Sequence, residues 1–211
     1  MTRPGQPEDL DDPRLLWTRA SVLAVAAAAE IIAPDGSSVD DDGVAGDGWR
    51  VTLAPDGEAV VSGRPPADRD ETGESPDLLD GLPERLTWKR LRDDMDGGSL
   101  GYVYWYADDA WHRAEHPDDA LAGPPEQLAD DDATIRVLTT DLKPDDENGP
   151  RAIADVLAKA RANTLRPADV TTMLGVLDPD VGSDAARTKA ALDTAVRTGL
   201  LAGTKPPLIG E

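Results

Sequence analysis

Between residues 15 and 32 the apolar positions fall so densely that no polar face is left. Leu15, Leu16, Val22, Leu23, Val25, Ile31 and Ile32 surround a run of alanines between Ala20 and Ala29. A pattern of this kind predicts a helix buried around most of its girth. Asp12 followed by Pro13 supplies its start, because the aspartate accepts free amides of the first turn and proline is tolerated at the first helical position. The helix is expected to run to about Ala33, stopped by Pro34-Asp35-Gly36, and the stretch on to Gly48, with Asp40-Asp41-Asp42 and glycines, reads as an exposed loop.

The period then changes from helical to alternating. Trp49, Val51 and Leu53 alternate with Arg50 and Thr52, and Pro55-Asp56-Gly57 turns the chain into Ala59-Val60-Val61, which predicts a hairpin. Arg64 to Pro76 is proline-rich, charged and aperiodic, so a loop is expected there. A short helix follows from about Pro83 to Arg92. A second hairpin is expected from Gly101 to Ala114, with Tyr102, Tyr104 and Tyr106 on one face, Val103 and Trp105 on the other, and a turn at Asp108-Asp109. Thr134 to Thr139 reads as a further strand. Beyond Pro150 three helical stripes appear: Ile153, Val156, Leu157 and Ala160; then Val170, Met173 and Leu174; then Ala185, Thr188, Leu192 and Val196, ended by Gly199.

Charge changes where the pattern does. From Met1 to Asn148 there are 35 acidic and 13 basic side chains, a balance of −22; from Gly149 to Glu211 there are 7 and 8, a balance of +1. Confinement of the acid to one part points to an acidic module with a partner of its own. The expected organisation is a disordered tail at 1–12, an acidic α+β domain at 13–142, a linker at 143–150 and a helical domain at 151–211. The linker boundary rests on Lys143-Pro144 and Asn148-Gly149-Pro150.

The C-terminal stretch carries a resemblance. Leu165-Arg166-Pro167-Ala168-Asp169-Val170-Thr171-Thr172-Met173-Leu174-Gly175, then Ala186-Arg187-Thr188-Lys189 and Arg197-Thr198-Gly199-Leu200-Leu201, resembles the winged helix-turn-helix superfamily. In that family the third helix reads a DNA groove and a glycine-leucine pair leads into the wing. The turn here, from Val176 to Ser183, is longer than the usual three or four residues. The resemblance implies Arg187, Lys189 and Arg197 as phosphate contacts. The fold class expected is therefore α+β: a long apolar helix on a small antiparallel sheet, followed by a three-helix winged-helix-like domain.

Composition narrows the function. With no cysteine there are no disulfides, thiolate nucleophiles or thiolate metal sites. The polar, acidic start does not read as a secretory signal, and the apolar run from Ala20 to Ala33 is short for a membrane span, so a cytoplasmic protein without membrane contact is expected. Alanine-rich, arginine-rich and without phenylalanine, the composition looks like that of a GC-rich, actinobacterial or haloarchaeal genome. No phosphate-cradling GxxxxGK motif, GxGxxG or HExxH is present, no GxSxG elbow is expected, and neither an enzyme nor a cofactor is expected.

All three tyrosines, two of the five tryptophans and both histidines lie between Tyr102 and His116. Rigid aromatic groups with polar tips dominate binding hot spots, which nominates Tyr102, Tyr104, Trp105, Tyr106, Trp111 and His112 as a partner-binding surface. His112 and His116, near Glu115, Asp118 and Asp119, invite a metal reading, but Pro117 opposes the helix that would align them and no metal site is expected. The acidic runs Asp40–Asp42, Asp130–Asp132 and Asp145–Glu147 lack the loop spacing that wraps calcium. The leading expectation is a non-enzymatic regulatory protein whose acidic domain binds a basic protein, as an immunity or antitoxin protein does; the alternative is a transcriptional regulator binding DNA through the C-terminal domain.

Overall fold

The computed structural model describes residues 10–33, 37–64, 76–115, 126–140, 142 and 147–209. Residues 1–9 of the expected tail, 65–75 of the expected loop, His116, and 143–146 of the expected linker lie outside them. Within the described residues the protein is mixed α+β, with seven helices and a six-stranded antiparallel sheet in the order β1 to β6.

Helix α1 (Pro13–Ala28) opens as the sequence suggests, with Pro13 in its first turn and the Asp12 carboxylate accepting the Arg14 amide at 2.8 Å. It ends five residues before the expected Ala33. Glu30 takes a left-handed conformation, φ 57°, and the amides of Glu30 and Ile31 turn back to the carbonyls of Ala27 and Ala26. That pairing closes a helix end, with glutamate at a position that glycine usually holds. All residues from Leu16 to Ala27 are buried, because α1 has neighbours on more than one side.

The sheet is a meander. Strands β1 (Ser37–Asp40) and β2 (Gly43–Gly46) form a hairpin where a loop was expected, since Val39 and Val44 pair across Asp41-Asp42. Strands β3 (Trp49–Leu53) and β4 (Ala59–Gly63) form the first expected hairpin. Strands β5 (Tyr102–Ala107) and β6 (Ala110–His112) form the second. Both faces are covered, which is why β4 and most of β5 are buried at consecutive positions. Val51, Val61 and Tyr104 pack with α1, while Val60, Val103 and Trp105 join a second cluster with Leu78, Leu86, Leu91, Leu100 and Ile209.

That second cluster includes α2 (Lys89–Asp96), preceded by a 3-10 turn at Glu84–Leu86 where one helix from Pro83 to Arg92 was expected. The stretch expected as a strand at 134–139 instead lies in helix α3 (Asp131–Leu138). Asp130 caps it by accepting the Ala133 amide, and Asp131 and Asp132 sit at the positive end of its dipole. Those terminal interactions outweigh the strand preference of Thr134, Ile135 and Val137.

Helices α4 (Asn148–Arg161), α5 (Pro167–Leu177), α6 (Pro179–Ser183) and α7 (Ala185–Arg197) follow. Helix α4 begins inside the expected linker, and the long turn after Gly175 contains α6. Their apolar faces belong to the same cluster as α1: Ile153, Leu157, Leu174 and Ala195 share a core with Leu16 and Leu23. The core therefore runs on across the point where the charge changes. No strand occurs among residues 198–209. Gly199, at φ 68°, folds the chain so that an added Cβ would collide with Pro206, and the tail crosses to the sheet, where the Ile209 amide donates to the Leu53 carbonyl at 3.0 Å.

Candidate functional site

Alternation along β5 sorts the aromatic residues nominated from the sequence. Tyr102 and Tyr104 point into the α1 core and are 2% and 0% exposed. Trp105 is buried against the second cluster. Burial, with Tyr104 beside it, pushes the Tyr102 phenol far above its ordinary value, so its hydroxyl stays protonated. These three side chains offer nothing to a partner, because a sheet covered on both faces buries the odd and even positions of its inner strands alike. Tyr106 and Trp111 are half-buried, and their rings meet edge-on at 5.3 Å. The Trp111 indole N–H donates to the Asp11 carbonyl at 2.9 Å. His112 is exposed on edge strand β6, stacked on Trp105 at 6.2 Å, and its Nε2 donates to the Ala107 carbonyl at 3.1 Å. The surface part of the aromatic set is thus Tyr106, Trp111 and His112.

Strand direction gathers carboxylates beside it. In an antiparallel meander every second turn falls at the same end of the sheet, so the β1–β2 turn at Asp41-Asp42, the β3–β4 turn at Asp56-Gly57 and the β5–β6 turn at Asp108-Asp109 share one rim. With about 4.8 Å between strands, successive turns stand about 10 Å apart. Asp41, Asp56, Asp108 and Asp109 are exposed. Arg85 hydrogen-bonds Glu58, and that bond, with Asp108 and Asp56 nearby, holds its guanidinium more firmly protonated than usual.

Three of these aspartates adopt left-handed backbone: Asp56 at φ 61°, Asp108 at 52° and Asp109 at 61°. Only glycine takes this region freely, and aspartate is among the few other residues that visit it. The rim is legible in part, since Pro-Asp-Gly and Asp-Asp mark two of its turns. The third is masked in the sequence, because Asp-Asp-Gly between Val39 and Val44, itself a hairpin signal, sits among further aspartates and glycines that together read as loop.

The C-terminal basic residues are engaged within the fold. Arg187 donates to the carbonyls of Ala29 and Glu30 at 2.8 and 3.0 Å, capping the end of α1. Arg197 donates to the Val39 carbonyl at 2.8 Å. Lys189 pairs with Asp193 one turn along α7. A buried arginine that the sequence does not single out holds the fold in a comparable way. Arg19, 4% exposed, donates to the Leu128 and Ala129 carbonyls and pairs with Asp11 and Asp131.

Contrary to the expectation of no GxSxG elbow, Gly97-Gly98-Ser99-Leu100-Gly101 has the G-x-S-x-G spacing of that motif. Its context differs, because the elbow joins a strand to a helix and here a helix, α2, leads into a strand, β5. His112 bonds the Ala107 carbonyl, not Ser99. Among the described residues no group of three His, Asp or Glu side chains is placed to hold a metal ion, and no helix is long and apolar enough to cross a membrane.

Comparison with protein-family models, with curated proteins and with solved structures found no match.

Proposed function

We propose that the protein is a non-enzymatic cytoplasmic binding protein whose acidic rim engages a basic protein partner, in the manner of an immunity or antitoxin protein facing a nucleic-acid-cleaving toxin. The observation that carries this reading is the rim itself: three hairpin turns at one end of the sheet, two of them with aspartates kept at left-handed positions where glycine or asparagine would be easier. Backbone cost retained at exposed carboxylates favours a role for their charge. Tyr106, Trp111 and His112 border the same hairpin and supply contact area beside it. A concentrated negative end raises the encounter rate with a cationic partner and excludes acidic ones.

In this reading the winged-helix-like unit of α4–α7 serves as packing for α1 and not as a DNA reader. Arg187 and Arg197 direct donors to main-chain carbonyls, and Lys189 sits against Asp193. The test is affinity capture at low salt with the wild-type chain and with an Asp56→Asn, Asp108→Asn, Asp109→Asn variant, repeated near 1 M salt, where the screening length shrinks to about 3 Å. Recovery of a basic protein by the wild type alone, lost at high salt, is the expected result. Equal recovery by both chains, or recovery of duplex DNA instead, overturns it.

A further inference from the structure

At the end of the sheet where the β2–β3 turn lies, the chain builds a cleft lined by three arginines. It has a volume of about 190 Å³ and lies where the β2–β3 turn, the end of β4 and the approach to β5 meet α2. A water molecule takes about 30 Å³ in the liquid, so the cleft holds a handful of waters or one small polar group of similar size. In a chain with a net charge of −21, its lining includes Arg50, Arg64 and Arg90, the hydroxyls of Ser62 and Ser99, and one carboxylate, Asp94.

The donors exceed what the fold consumes. Each guanidinium carries five N–H donors. Asp40 accepts two bonds from Arg50, at 2.6 and 2.8 Å, and one from Arg90 at 2.9 Å. Asp42 and Asp94 stand only at 3.9 and 4.0 Å from Arg90. Arg64 is exposed and has no side-chain partner among the described residues. Asp40 therefore acts as the brace that fixes Arg50, itself 8% exposed, with its remaining N–H groups unassigned.

Two further observations concern the backbone floor. Gly46, Gly48 and Gly63 line the cleft without side chains. An added Cβ at Gly46 would collide with the Trp49 indole, and one at Gly63 with the Gly48 carbonyl and the Tyr102 hydroxyl. Trp49 also lines the cleft, and its indole N–H, like the Tyr102 hydroxyl behind Gly63, is buried with no hydrogen-bond partner among the described residues. A buried donor left unmet is costly, and such groups in folded proteins ordinarily find an acceptor.

We propose that this cleft binds a small oxyanion, the carboxylate or phosphate group of a ligand, held by Arg64 and Arg90 with Arg50 at its base. Planar guanidinium groups suit both oxyanions, because each presents paired oxygens to paired N–H groups. Arg50 and Arg90 reach Asp40 and Asp42 at the β1–β2 turn of the rim, while the β3–β4 and β5–β6 turns lie at the other end of the sheet from the cleft, and the proposal does not rest on the rim's role in partner binding.

The test uses the full-length chain, titrated with sodium phosphate and separately with sodium acetate, each against sodium chloride of equal ionic strength. Thermal midpoints and backbone amide NMR shifts are followed. A specific oxyanion raises the midpoint saturably, as any ligand of the native state does, and moves the amides of Gly46, Gly48 and Gly63. Arg64→Gln, at a side chain with no hydrogen-bond or ion-pair partner among the described residues, raises the dissociation constant at least about tenfold. Arg85→Gln, at the opposite end of the sheet, leaves it unchanged. A response to phosphate alone assigns a phosphoryl ligand, and one to acetate alone a carboxylate. No saturable response to either anion, or equal weakening by both arginine substitutions, overturns the proposal.

Discussion

The Trp17 indole N–H donates to the Thr198 carbonyl at 2.8 Å in a buried position, tying the first helix to the end of the last across 181 residues of chain. Trp17→Phe keeps an aromatic ring there and removes the donor. The Thr198 carbonyl then stays buried with one partner fewer. A loss of about 1–3 kcal/mol is expected, seen as a lower denaturant midpoint with an unchanged slope. An unchanged midpoint would mean that water replaces the indole without cost.

The same shared core predicts the behaviour of the C-terminal helices alone. Ile153, Val156 and Leu157 of α4 and Ala191 and Ala195 of α7 lie in one cluster with Leu16, Val22 and Leu23 of α1. A fragment from Arg151 to Glu211 leaves those side chains open to water, and no cooperative thermal transition is expected from it by circular dichroism. A sharp transition in the fragment would show that the helices fold independently of α1.

Acid should weaken the protein in a defined window. Hydrogen bonds from Arg161, and secondarily from Arg19, hold the Asp131 carboxyl below the ordinary aspartate range despite partial burial. At Asp40 burial pushes upward, but Arg50, the Asp42 amide and Arg90 outweigh it, and the net shift is again downward. A carboxylate depressed in the folded state adds stability at pH values above its unfolded pKa of about 3.9, and that stability is lost as pH falls through the folded value. Asp131→Asn should therefore be destabilising at neutral pH, with the difference from wild type shrinking below about pH 4. Denaturant melts at stepped pH measure it; a constant difference would place the effect in packing.

How much of this was legible in the sequence depended on whether local signals met tertiary ones. The start of α1 and both tyrosine-bearing and valine-bearing hairpins were readable, because caps, alternation and turn residues act over a few positions. Helix α3 reads wrongly as a strand because Thr134, Ile135 and Val137 favour one in isolation, whereas Asp130 and the helix dipole decide the outcome. The aromatic surface was half legible: alternation separates Tyr104 from Trp105, but nothing in the sequence says that α1 covers one face while Leu78, Leu86 and Leu91 cover the other. The roles of Arg19 and Arg187 were hidden, since each depends on carbonyls more than 100 positions away.

Arg187 carries the next prediction. Its two bonds to Ala29 and Glu30 satisfy carbonyls that the end of α1 leaves free, and its charge faces the negative end of that helix. Arg187→Gln should cost about 1–2 kcal/mol and raise hydrogen exchange in the last turn of α1 before other regions. Unchanged stability combined with weaker DNA binding would instead assign this arginine to a phosphate contact.

The β5–β6 turn separates stability from recognition. Asp108 and Asp109 occupy both central positions of a two-residue hairpin turn closed by Ala107 and Ala110, with φ of 52° and 61°. Asparagine followed by glycine is the pair that such a turn prefers. Replacing Asp108 by Asn and Asp109 by Gly should stabilise the fold by on the order of 1 kcal/mol, since left-handed backbone costs other residues about that much. The same change removes two of the exposed carboxylates of the rim, so association with the captured basic partner should slow by about tenfold at low salt. A more stable chain that binds more slowly is the signature of aspartates kept for their charge. A less stable chain with unaltered association would show that they serve the turn alone, and the acidic rim would lose its claim to be the binding surface.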